Sequence, residues 1–130
     1  MKLAEGNVFR SSLRPATQEN INRFGELHGT TGKTHTDPEY ARQSAFGGVI
    51  VQGALVMAPV FDMCTELFGS ASSERTEIEA KFVSFTRPGD AVSVRFDVVK
   101  DSAESIELSY SCTLSDGKKV VIGTITHYKG

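Results

Sequence analysis

The chain has 130 residues, enough for a single domain (1–130) whose core needs no disulfide or metal staple. Its net charge of −2, with scattered basic residues, leaves no footprint for nucleic acid, and a hydrophobic content of 39% argues against disorder. No apolar run reaches the roughly 18 residues of a membrane span, and Met1-Lys2-Leu3-Ala4-Glu5-Gly6 lacks the apolar core of a signal peptide, so the expectation is a cytoplasmic protein.

In chain order, Asn7 to Leu13 alternates and is expected as a first strand, ended by Pro15. Thr17 is placed to cap a helix from Gln18 to about Leu27, with Ile21, Phe24 and Leu27 on its apolar face. The glycine-rich Gly29 to Gly32 cannot continue that helix and opens a loop carrying His35. Asp37-Pro38 has the form of an N-cap followed by proline at the first helical position, starting a short turn through Arg42. From Val51 to Phe68 the chain is apolar nearly all round, which predicts a deeply buried helix, kinked or divided at Pro59 and closed by Gly69-Ser70-Ala71-Ser72-Ser73.

Beyond that point the period changes to two. Thr76 to Thr86 is a strand ended by the turn Arg87-Pro88-Gly89-Asp90. Val92, Val94, Phe96 and Val98 mark the next strand, and Ile106, Leu108, Tyr110, Cys112 and Leu114 the one after. Asp116-Gly117 is the centre of a hairpin turn into a last strand whose apolar phase is Val120, Ile122, Thr124 and Thr126. Four strands in series predict an antiparallel meander. Only the Val51–Phe68 helix is long and apolar enough to cover it, so the fold class is α+β, an antiparallel β-sheet wrapped around a central α-helix. Cys64 and Cys112 both fall in apolar patterns and are expected as free, buried thiols of a reducing compartment. Three histidines without Cys/His spacing predict no metal site, and no cofactor motif is present.

The stretch from Phe24 to Ala41, with Phe46-Gly47-Gly48-Val49-Ile50-Val51-Gln52-Gly53 after it, resembles the signature of the MaoC-like dehydratases, which include the (R)-specific enoyl-CoA hydratases. Phe24, Leu27, Gly29, His35 and Ala41 match at the family's spacing. Thr30 stands at the family's catalytic Asp, Gly32 at its Asn, Lys33 at its Pro, His28 at its small residue, and Gln52 at its second His. The resemblance implies a hot-dog fold, a homodimer or dimer of dimers, and addition or removal of water on an enoyl or 3-hydroxyacyl thioester of CoA or acyl carrier protein. It implies that His35 is the surviving acid/base and that the Gly53 amide steadies the thioester oxygen.

Around these two residues several assignments stay open. Thr30 can orient a water but cannot act as a carboxylate base, and Thr30 and Thr31 are equally loop hydrogen-bonders. His28 could converge on His35 across the glycine loop, or simply complement the helix dipole. Glu26 and Asp37 are the other candidates to replace the missing acid, Asp37 doubling as a helix cap. Gly48 and Gly32 either offer amides to substrate or only permit tight packing, and Lys33 either meets a substrate phosphate or is solvated. Tyr40 is expected to staple its turn to the core, and Met57 and Met63 to fill it. Two further functions remain: a hot-dog acyl-CoA thioesterase, and a non-catalytic acyl-thioester-binding homologue.

Overall fold

A computed structural model describes residues 3–70 and 72–130, so Met1, Lys2 and Ala71 of the segments named above lie outside the described residues. Strand β1 (Val8–Leu13) is followed by helix α1 (Gln18–His28). The Thr17 hydroxyl accepts from the Asn20 amide at 3.1 Å, and Gly29 closes the helix at φ 74, donating to Gly25 O. The buried face differs from the expected one. Ile21 is fully buried with Gly25, whereas Leu27 is 74% exposed. At 3.6 residues per turn, Gly25 lies about 40° from Ile21 around the helix, but Leu27 about 120°.

His35 is not on a loop. It sits in helix α2 (Lys33–Thr36), a single turn tied down by the Thr36 hydroxyl, which donates to the carbonyls of Thr31 and Gly32. Helix α3 (Pro38–Gln43) begins as expected, with Asp37 Oδ1 accepting from the Tyr40 amide at 3.1 Å. Helix α4 (Gly53–Phe68) runs through Pro59 as one element. Proline removes one intrahelical donor there, yet the ring is buried with Val56, Met57, Val60, Met63 and Cys64. The helix is not buried all round: Phe61, Asp62, Thr65 and Glu66 face solvent.

Strands β2 (Thr76–Phe82), β3 (Val92–Asp101), β4 (Ser105–Leu114) and β5 (Lys119–Tyr128) join β1 in a five-stranded antiparallel sheet of order β1-β3-β4-β5-β2. Only β3, β4 and β5 form the expected meander; β2 lies at the far edge, beside β5. Tight hairpin turns force neighbours together. Residues 83–91 belong to no strand: Val83 and Ser84 still donate to Val120 O of β5 (2.9 and 3.4 Å), and the segment then leaves the sheet, with Val51 N–H on Thr86 O (2.8 Å) and Gly89 N–H on Ala16 O (3.0 Å).

The phase of β5 is the other correction. Cys112 pairs with Val121 but Thr113 with Lys119, which leaves Val120 as a bulge residue. Beyond it Val121 and Ile125 are fully buried, rather than Ile122, Thr124 and Thr126. Val92, Val94, Phe96 and Val98 of β3 and Leu108, Tyr110 and Cys112 of β4 complete the core against α4, where Tyr110 Oη lies 3.9 Å from Met57 Sδ. Both cysteines are free and buried. Among the described residues no helix is long and apolar enough to cross a membrane.

Candidate active site

The α2 turn presents His35 to the start of α4. Its ring Nδ1 lies 2.8 Å from the carbonyl oxygen of Ile50. A carbonyl can only accept, so Nδ1 carries the proton, and the neutral ring keeps its lone pair on Nε2. The backbone is fixed as well: Gln18 Nε2, from the first turn of α1, donates to His35 O at 2.7 Å and to Asn22 Oδ1 at 2.9 Å.

His35 lines a cavity of about 410 Å³ together with Gly53, the first residue of α4. The remaining wall is mainly apolar, from Phe46, Val51, Val56, Phe85 and Val121, with Phe82 and Val83 half exposed at its rim. Among the described residues His35 is the one ionisable side chain on the wall. The helical ladder of α4 begins with the Leu55 and Val56 amides on Gln52 O (3.0 and 3.1 Å), so the Gly53 and Ala54 amides ahead of them have no carbonyl to meet within the helix, and the helix dipole adds a partial positive charge there. Gln52 precedes them with no side-chain cap. An imidazole with a free lone pair, an apolar slot and a helix N-terminus therefore meet at one place. Phe82 also shields Gly53, since a Cβ there would stand 2.9 Å from Phe82 Cζ.

The other candidates are placed elsewhere. Thr30 does not line the cavity, and its hydroxyl is buried with no hydrogen-bond partner among the described residues. Its carbonyl is 3.4 Å from Gln52 Nε2, which also donates to Ile21 O at 2.8 Å. His28 does not converge on His35: it is exposed, with its ring 4.4 Å from that of Phe24, and is absent from the cavity wall. Lys33 Nζ lies 5.6 Å from the Tyr40 ring centroid, and Tyr40 is 51% exposed rather than stapled to the core. Gly32 caps α2, and Gly48 faces the Arg87 guanidinium. Neither glycine touches the cavity, and neither Glu26 nor Asp37 does.

Sequence reasoning missed Gln18, the Ile50 carbonyl and Arg87. Gln18 was legible only as the first residue of a helix, and Arg87 only as part of a turn. No pattern marks a backbone carbonyl as the partner of a histidine.

The chain superposes on the (R)-hydratase from A. caviae involved in PHA biosynthesis with a TM-score of 0.83, at 21% identity over 96% of each chain. R-hydratase PhaJ1 from Pseudomonas aeruginosa gives 0.82 at 19% identity, over 95% of this chain and 80% of that one. The ChsH1-ChsH2 complex from Mycobacterium tuberculosis gives 0.80 at 14% identity, over 98% of both chains. At these identities the likeness establishes the fold, an antiparallel sheet on a helix in the hot-dog arrangement. No curated protein matches the chain in sequence. A family model described as the MaoC like domain matches residues 3–115, and the chain belongs to that family.

Proposed function

We propose that this single-domain chain is a hydratase or dehydratase acting on an enoyl or 3-hydroxyacyl thioester of CoA or acyl carrier protein. The observation that carries this reading is the bond from His35 Nδ1 to Ile50 O at 2.8 Å, which leaves Nε2 as a base at an apolar cavity shared with the α4 N-terminus. Two of the structural relatives, both (R)-hydratases, support the same reaction class.

In the hydration direction, His35 Nε2 takes a proton from water as the water oxygen bonds to C3 of the enoyl group. The electron pair of the double bond moves to the thioester oxygen, where the Gly53 amide and the helix dipole hold the developing charge. Collapse of that enolate accepts the proton from the imidazolium at C2 and restores neutral His35. One imidazole thus removes a proton and returns it, which suits a cavity wall that bears no carboxylate among the described residues. Thr30, whose hydroxyl is shut away from the cavity, has no part in these steps, nor has the exposed His28. The buried free thiols fit a cytoplasmic setting, and the edge strands β1 and β2 offer unpaired backbone for a homodimer or a dimer of dimers.

The test is hydration of crotonyl-CoA and longer enoyl-CoAs, followed by loss of the conjugated-thioester absorbance. His35→Gln is expected to lower kcat/KM by about 10²–10⁴. Wild-type rates in that variant, or thiol release in place of hydration, would refute the reading. Light scattering at micromolar concentration tests the dimer.

A further inference from the structure

Residues 46–51 form a strap without helix or strand, running between the α2 turn and the cavity wall. Its far end is tied on both sides. The Ile50 amide donates to Thr34 O at 3.1 Å, the Ile50 carbonyl accepts from His35, and the Val51 amide donates to Thr86 O at 2.8 Å. Its near end has the two most permissive residues of the segment, Gly47 at φ 68 and Gly48. There the carbonyls of Phe46 and Val49 both go to one side chain. Arg87 Nη2 donates to Phe46 O, and Nη1 to Val49 O at 3.3 Å.

The guanidinium lies 4.8 Å from the Phe85 ring centroid, and among the described residues no carboxylate pairs with it. A Cβ on Gly48 would stand 2.7 Å from Nη1, so the bare backbone is what lets the cation sit down on the strap. A planar fork with fixed donors holds two carbonyls at a set separation, which a single ammonium cannot do. Val49 directly precedes Ile50, so clamping its carbonyl limits rotation of the next peptide.

We infer that Arg87 is a positioning residue for His35: by holding the Phe46 and Val49 carbonyls it fixes the Ile50 carbonyl, and that carbonyl sets which ring nitrogen of His35 carries the proton. Its consequence for turnover rests on the hydratase reading above; its effect on the tautomer does not.

The experiment is ¹⁵N NMR of histidine-labelled protein without substrate, run beside hydration kinetics. His35 signals are assigned by their absence in His35→Gln. Wild type is expected to hold the neutral ring as the Nδ1–H tautomer. Arg87→Met should raise the Nε2–H population and lower kcat by about 10–10²-fold, the scale of a misplaced reacting group, with KM changed less than about twofold. Arg87→Lys should fall between the two, and it carries the test if the Met variant fails to fold. Lys118→Gln removes a cation 6.0 Å from the same Phe85 ring that bonds no strap carbonyl, and it should leave the tautomer as in wild type. A folded Arg87→Met or Arg87→Lys protein that keeps the wild-type tautomer overturns the inference, even where kcat falls. If no enoyl thioester is hydrated but the tautomer still responds, the hydratase reading fails and the Arg87 assignment stands.

Discussion

Gly25→Ala sets two effects of opposite sign against each other. In an isolated helix interior the change is worth about 0.8–1.0 kcal/mol in favour of alanine. Here the new Cβ would stand 2.8 Å from Thr30 O and 3.3 Å from Thr30 C, both backbone atoms. Restoring ordinary contact means moving that carbonyl from 2.8 Å to at least 3.4 Å, about 0.6 Å. The carbonyl sits in a corner closed by the Thr30 amide on Gly25 O (3.0 Å) and by Gln52 Nε2 on Thr30 O (3.4 Å). Each such bond contributes about 0.5–1.5 kcal/mol net, and a buried group left unpaired costs about 1–3 kcal/mol. The clash therefore outweighs the propensity, and the variant should be less stable by about 1–3 kcal/mol. Urea unfolding followed by circular dichroism reads this as a lower midpoint at unchanged slope. Because Thr30 leads into the α2 turn, the hydration rate should fall in the same protein. A midpoint equal to or above wild type would show that the corner yields freely and that the packing argument is wrong.

Three other outcomes follow from the same structure. Gln52→Leu removes a second donor from Ile21 O, a mid-helix carbonyl of α1 that keeps its intrahelical bond, and also removes the buried, unpartnered Gln52 Oε1, so by urea titration it should change stability by less than about 1.5 kcal/mol; a larger loss would mean that the side-chain bond anchors α1 to α4 more strongly than a single net hydrogen bond. Tyr110→Phe removes the 2.8 Å bond to Glu79 O and should cost about 1–2 kcal/mol, with faster hydrogen exchange confined to β2 and its β5 partner; uniform change across the sheet would contradict it. Burial raises the Cys64 and Cys112 thiols from 9.0 to about 11 and the Tyr110 phenol from 10.0 to about 12. The folded state thus keeps protons that the unfolded chain has lost, so stability is full below about pH 9 and declines as pH rises towards 11 and 12. The double variant Cys64→Ala, Cys112→Ala should show a shallower alkaline decline in unfolding midpoint, and an unchanged slope would remove the thiols as its cause.

The strands β3 and β4, the cap at Thr17 and the Asp37-Pro38 start were legible because each is written in local residue order. His35 and Gly53 were singled out by their place in a family pattern, and both line one cavity. What was not legible depends on pairs remote in sequence. The edge position of β2 is decided by where residues 83–91 find backbone partners, not by the alternation of β2 itself. The phase of β5 turns on one extra residue at Val120, which leaves the composition of the strand unchanged. The α2 turn is too short to carry a helical period. His28 and Lys33 belonged to the same motif as His35, but adjacency in a motif says nothing about which way a side chain leaves a single turn.

The strand order has a consequence for how the chain reaches its native state. Both outer strands come from the first two thirds of the sequence, and all three inner ones from the last third. During synthesis β1 and β2 therefore emerge before the surfaces they dock on exist, and α4 has no sheet to lie against until β3 to β5 are made. The local hairpins at the C-terminal end are the natural nucleus, with the earlier segments condensing onto them across long loops, a slow class of event. A ribosome-bound chain halted before Lys119 should still present its greasiest helix to chaperones, and release only after β5 clears the exit tunnel should bury it.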